Sequence, residues 1–361
     1  MIGDVMSNEA DLKRLEQAFT STPSYDGLPA TLVHLKNSHG MTLSLMDVGA
    51  TWLSCRLPLT SGFREVLLHA PDMAAHRKQT AYFGAIVGRY ANRIDASQFS
   101  LGERTYSLCS NEGKNTLHGG KEGFDKRRWT IATQSHTAVT FHLDSEDGDQ
   151  GFPGNISANV TYLLDEDNRV EIQYQAECDK ACPINLTNHA YFNLAGVGSG
   201  VKSLDHILMM EAGHYLPTRK DLIPTGAWNP VSETAFDFSE PKVIGRDFLS
   251  DEDQKIAGGY DHAFVLDPDV CDGEALAVSL LAPDRSIIMK VSTTKPAIQF
   301  YSGNFLQGAP GEHGDYENFD GLALETQYLP DGPNHPEWGE KSGVCQAKQP
   351  YRHRTAYQFL F

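Results

Sequence analysis

The chain has 361 residues, with 30 Lys and Arg against 47 Asp and Glu, a formal net charge of −17. That balance opposes binding to nucleic acid or anionic lipid, both of which need a basic surface, and it favours a neutral ligand. Six cysteines in so long a chain lack the density of a disulfide framework. The lone C-x3-C of Cys178 and Cys182 has no second pair to complete a zinc site, so the thiols read as reduced and the protein as cytoplasmic. The first residues, MIGDVMSNEADLKRLEQAF, hold no apolar core of a secretory signal. No apolar run approaches the roughly 20 residues of a membrane helix. Leu12, Leu15 and Phe19 fall at i, i+3 and i+7 and predict a short amphipathic helix. Residues 1–30 are therefore read as an extension, and 31–361 as a single domain.

From there period two dominates. QFSLGERTYSL (98–108) predicts a hairpin turning at Gly102 and Glu103, and VTFHLD (139–144) a strand. DSEDGDQGFPGN (144–155) is loosely like a calcium loop but lacks the bidentate glutamate, and reads as a hairpin loop. Ile156, Ala158, Val160 and Tyr162 then alternate with polar residues, as do Val170, Ile172, Tyr174 and Ala176 beyond the turn at Asp165–Asn168. That is a hairpin of two half-buried strands. NLTNHAYFNL (185–194) predicts a central strand, with Thr187, His189, Tyr191 and Asn193 on one polar face and Asn193 a candidate to orient His189. Arg246–Ile256 predicts one short helix. SIIMKVST (286–293) and AIQFYSGN (297–304) add strands, and PDGPNHPEW (330–338) reads as a rigid loop near the cleft. Scarce helical periodicity and frequent turns predict an all-β fold, one large antiparallel β-sandwich with few short helices.

Against this background several segments are too rich in glycine and polar residues for ordinary strands. They are GRYANRI (88–94), NTLHGG (115–120), GFDKRRW (123–129), NLTNHAYFNL, YDHAF (260–264), QFYSGN (299–304) and ALETQYLPDGPNHPEW (323–338). They contain neither a nucleophile elbow nor an H-E-x-x-H metal pair. Taken singly, His189 and His118 read as structural histidines, Arg93 and Asn92 as turn residues, and Asp261 as a turn former. In this order, however, the segments resemble those of the aldose 1-epimerases, the galactose mutarotases, from about Leu32 to the C-terminus.

The resemblance implies a β-supersandwich with an open cleft on one sheet, and interconversion of the α and β anomers of free hexoses such as galactose and glucose. It implies no cofactor and no metal, a free sugar as the partner, and a monomer or homodimer. Residue by residue, it implies His189 as catalytic acid, Glu325 as catalytic base and His118 as a second active-site histidine. Asn92, Arg93, Asp261 and Gln299 would grip the sugar hydroxyls. The reaction needs a base at the anomeric hydroxyl and an acid at the ring oxygen, and these residue types suit both roles.

Three rivals remain at this stage. A hexose 6-phosphate epimerase needs cations at the cleft, for which DKRRW is the obvious supply. A carbohydrate-binding module needs aromatic platforms but no acid–base pair. An inverting glycosidase needs two carboxylates about 6.5–9.5 Å apart, which Asp261 and Glu325 would have to provide. His335 and His262 read as structural, with His262 facing away from Asp261.

Overall fold

The computed structural model describes the backbone of residues 2–361 and the side chains of residues 8–361. Two large antiparallel sheets form the body. The nine-stranded sheet runs, in spatial order, 130–134, 138–145, 156–164, 169–178, 351–360, 288–293, 278–281, 207–210 and 242–243. The six-stranded sheet runs 191–192, 322–327, 297–301, 261–266, 212–215 and 229–230. A four-stranded meander over residues 32–65 joins them at one end. This is the all-β sandwich that the alternation predicts. The hairpin of 156–164 and 169–178 closes with Leu164 opposite Val170, and Gln98–Leu101 pairs with Arg104–Ser107 around Gly102.

The core lies between the sheets because each strand turns its apolar parity inward. Val160, Ile172, Val291 and Tyr357 of the large sheet meet Phe264, Ile298, Phe300 and Leu324 of the smaller one. Trp52, Phe192 and Tyr357 pack with ring centroids 5.3–5.9 Å apart. Tyr162 reaches out of this apolar layer to donate to the Ala50 carbonyl at 2.7 Å and accept from the Asn188 amide at 3.2 Å. Tyr162→Phe takes the donor away from the buried Ala50 carbonyl and leaves the Asn188 amide only its bond to the Gly84 carbonyl. It is expected to cost about 1–3 kcal/mol, read as a lowered urea midpoint at unchanged slope; an unchanged midpoint would mean that neither bond contributes.

Helices are few. The N-terminal one, Ile2–Thr20, is longer than its three-residue signal predicts. It docks through Phe19 onto Met46, Val48, Leu53 and Met73, and Arg14 on its surface meets Glu312 at 3.0 Å. A single turn, Met73–His76, starts where the Asp72 carboxylate caps the Ala75 amide. The segment Arg246–Ile256 is not one helix. A 3-10 turn ends at Asp247, and the α-helix begins only at Glu252, because Asp251 turns its carboxylate onto the Asp253 amide and caps there. Nor is NLTNHAYFNL one central strand. Thr187–Asn188 pairs with Ile86–Val87, while Tyr191–Phe192 forms an edge of the six-stranded sheet. Between them the His189 backbone bonds residues 84 and 85 instead. All six cysteines are free thiols, and no described helix is long and apolar enough to cross a membrane.

Candidate active site

The outward parity of the six-stranded sheet carries the polar residues. Asp261, Tyr301 and Ala323 stand side by side on adjacent strands, and so do Ala263, Gln299 and Glu325. Above them opens a cleft of about 320 Å³, walled by Asn92, Arg93, His118, His189, Tyr191, Asp261, Tyr301 and Glu325, and rimmed by residues 78–82 and 305–310. That volume is at the lower end for small-molecule sites and suits a ligand the size of one hexose. A larger depression of about 610 Å³ crosses the solvent face of the nine-stranded sheet around Asn159, Gln175 and Arg352, but no histidine lines it. The acid–base chemistry is concentrated in the smaller cleft.

At its floor His189 Nε2 lies 3.5 Å from Glu325 Oε1, with both residues no more than 5 % exposed. Tyr82 and Tyr191 flank the imidazole in near-parallel stacks at 5.8 and 5.0 Å. Burial, reinforced by the Asp261 charge and opposed by Arg93, holds the Glu325 carboxyl well above the usual range. Burial also pushes the His189 imidazole down to about 4. Both shifts favour the neutral forms, a carboxylic acid beside an uncharged imidazole. At this separation the two groups titrate as a coupled pair, and either partner can carry a shared proton.

His118 is fixed differently. Asn92 and His118 are adjacent across the short pairing of Arg93 with Leu117, and both adopt left-handed backbone angles (φ 67° and 50°). The Asn92 amide donates to His118 Nδ1 at 3.1 Å, and the His118 amide donates back to the Asn92 carbonyl. Nδ1 is thus an acceptor, so the proton sits on Nε2. Burial and the neighbouring His189 and Arg93 keep this ring uncharged. The glycine after His118 is required, since a Cβ on Gly119 (φ +91°) would lie 1.9 Å from the Gly88 carbonyl oxygen. His118, His189 and Glu325 bring ligand atoms within 4.8 Å of one another. Even so, a metal-bound histidine donates through its second nitrogen, and here that nitrogen accepts from Asn92. The donor set does not fit a metal.

Arg93 is 8 % exposed and grips Glu112 with two bonds of 2.6 and 2.9 Å, its third nitrogen standing 3.8 Å from Asp261. Asp261 in turn accepts from the Gln299 amide at 2.7 Å. Gln299 sits behind Asp261 and holds it, rather than standing in the cleft wall. Asn193 does not orient His189; its amide donates to the carbonyls of Val201 and Asp320. The loop 330–338 buttresses the site from outside, where the Asp331 amide donates to the Arg93 carbonyl. His335 stacks on Trp338, and His262 packs into the core against Phe236, away from Asp261. Glu112, Tyr82 and the 305–310 rim carry no local sequence signal. Tyr82 and the rim reach the cleft by chain closure, and Glu112 reaches Arg93 in the same way; Tyr191 shares its parity with His189 and lines the cleft with it.

An aldose 1-epimerase family model matches residues 31–358. The chain belongs to the aldose 1-epimerase family. The epimerase is 47 % identical to the aldose 1-epimerase of Escherichia coli K12 over 337 residues, which cover 93 % of this chain and 96 % of that one. It is 38 % identical to the human galactose mutarotase over 297 residues, 82 % and 84 % of the two chains. Among solved structures it superposes on the galactose 1-epimerase from Lactobacillus acidophilus with a TM-score of 0.80 at 28 % identity, covering 93 % and 96 %. It superposes on an aldose epimerase homologue from C. elegans with a TM-score of 0.83 at 27 % identity, covering 92 % and 99 %. The enzyme is an isomerase, a mutarotase.

Proposed function

We propose that this epimerase interconverts the α and β anomers of free hexoses, galactose and glucose first among them, with Glu325 as base and His189 as acid. The observation that carries this is the 3.5 Å approach of His189 Nε2 to Glu325 Oε1 at the floor of a hexose-sized cleft. In the reactive arrangement Glu325 is ionised and His189 holds the proton. Glu325 takes the proton of the anomeric hydroxyl, His189 gives its proton to the ring oxygen, and the C1–O5 bond breaks to leave the open aldehyde. That step ends with a carboxylic acid and a neutral imidazole, the arrangement that burial favours. After rotation about C1–C2, His189 takes the proton back from the C5 hydroxyl while Glu325 protonates the carbonyl oxygen, closing the other anomer. His118 donates through Nε2 beside the ring oxygen. Arg93 and Asp261 hold the remaining hydroxyls, together with Asn92. Gln299 supports Asp261 from behind.

The 6-phosphate alternative finds little support, because the cations of DKRRW are engaged. Arg127 pairs with Asp149, Arg128 with Asp26 and Asp47, and Lys126 with the Lys121 carbonyl. Polarimetry on freshly dissolved α-galactose, α-glucose and glucose 6-phosphate tests the reading. Faster equilibration of the two free sugars is expected, and a clear preference for the phosphate would overturn it.

A further inference from the structure

Around Glu325 five buried polar atoms have no hydrogen-bond partner within the protein: Glu325 Oε2, Gln299 Oε1, Thr187 Oγ1 and both amide atoms of Gln327. Glu325 and Gln299 are 3 % exposed, Thr187 and Gln327 fully buried. These residues are neighbours. Gln299 is the direct cross-strand partner of Glu325. Gln327 lies two residues further along the same strand and so on the same face, opposite the small side chain of Ala297. His189 stands beside Glu325, as their contact shows, and Thr187, in the short strand paired with Ile86–Val87, lies against the strand that carries Glu325 and Gln327.

Leaving a buried amide or hydroxyl unpaired is costly, and native folds satisfy such groups with ordered water where no side chain reaches. Five such atoms make a polar niche at the rear oxygen of the base, Oε2, the one that does not face His189, and Gln299, Gln327 and Thr187 do not line the cleft. We propose that Gln327 and Thr187 hold ordered water against the rear oxygen of Glu325, and that Gln327 is thereby a positioning residue for the base. The proposal rests on Glu325 being that base.

The niche has a chemical consequence. The charged and titratable groups facing Glu325 are His189 and Tyr191 on its own sheet edge, Asp261 and Tyr301 on neighbouring strands, Arg93 and His118 across the cleft, Tyr82 from the rim and Tyr357 from the large sheet. Beside the other oxygen of Glu325 lie the neutral dipoles of Gln299, Gln327 and Thr187. Water held there donates to the ionised carboxylate and fixes its orientation, with Oε1 forward. Removing the niche destabilises the carboxylate without altering any charge. The ionised arrangement of the Glu325–His189 pair then becomes rarer, and the last proton of the pair leaves at higher pH.

The test is the pH profile of kcat/KM for Gln327→Leu and Thr187→Val, followed by polarimetry on α-galactose. For each variant the plateau is expected to fall about tenfold while the alkaline limb moves up by about one pH unit, because both report the same equilibrium. A plateau that falls with no movement of the limb, or a profile that superimposes on the parent's, overturns the proposal. Thr187→Val keeps the shape of the side chain and decides the matter alone if Gln327→Leu does not fold. Glu325→Gln serves as the control. If it keeps parental activity, the base assignment itself has failed; if it is inactive while both niche variants keep the parent's profile, only the niche has failed.

Discussion

Glu325→Gln is expected to lower kcat by about 10²–10⁴-fold while leaving the affinity for the sugar nearly intact. The amide has the shape of the carboxyl it replaces and fits the same buried position, but it cannot take a proton from the anomeric hydroxyl. On the proposed reading, sugar affinity resides mainly in other side chains, Arg93 and Asp261 among them, which the substitution does not touch. A fall in kcat with an unchanged KM is therefore the signature. The measurement is polarimetry at saturating α-galactose, corrected for spontaneous mutarotation. Parental rates in the variant would remove Glu325 from the base role. The parent enzyme should show a plateau in kcat/KM between an acid and an alkaline limb. The acid limb arises where His189, depressed to about 4, keeps its proton while Glu325 is also protonated. The alkaline limb arises where the pair loses its last proton, which burial retains on Glu325 above the ordinary carboxylate range. In Glu325→Gln the alkaline limb should vanish along with the rate.

His189→Asn is expected to be comparably damaging, again about 10²–10⁴-fold in kcat. Asparagine keeps a polar group between Tyr82 and Tyr191 but has no proton to give to the ring oxygen. The nearby His118 cannot take over. Its Nδ1 is committed to the Asn92 amide, and burial with the charge of Arg93 holds it uncharged far below neutrality. It donates a hydrogen bond without transferring the proton. Anomer-resolved NMR of the exchange rate checks this, and retained activity would move the acid role to His118. The residual rate in His189→Asn should lose the acid limb near pH 4, because the group that titrates there is gone.

The fold was legible where periodicity was local. The strands 156–164 and 169–178 announce themselves by alternation around a polar turn, and their observed register follows from it. The site was legible through the resemblance of its polar segments, taken together and in order, to the aldose 1-epimerases; singly, the residues around His189 and the carboxylate in ALETQ only stand out as polar groups in strand-like runs. His118, Asn92, Arg93 and Asp261 meet them in one cleft. The rest depended on closure over long distances. NLTNHAYFNL alternates like one strand, yet the backbone of His189 is claimed by residues 84 and 85, which nothing in the local pattern reveals. Glu112 holds Arg93 across 19 residues without any motif to mark it. Gln299 reads as a ligand contact by its place in QFYSGN, but its amide is spent on Asp261 and it does not line the cleft. The break at Asp251 turns on one capping carboxylate in a stretch whose apolar spacing is otherwise helical.

Asp261, Gln299 and Glu325 project from strands whose opposite faces are Phe264, Ile298, Phe300 and Leu324, locked into the interior. The bench on which the reaction runs is thus the lid of the hydrophobic core, and it cannot swing without disturbing that packing. Between one ring form and the other something must nevertheless turn through half a revolution. With the wall so held, the proposed mechanism gives that turning to the freed aldehyde of the sugar, and the protein serves as a still frame around a pivoting guest.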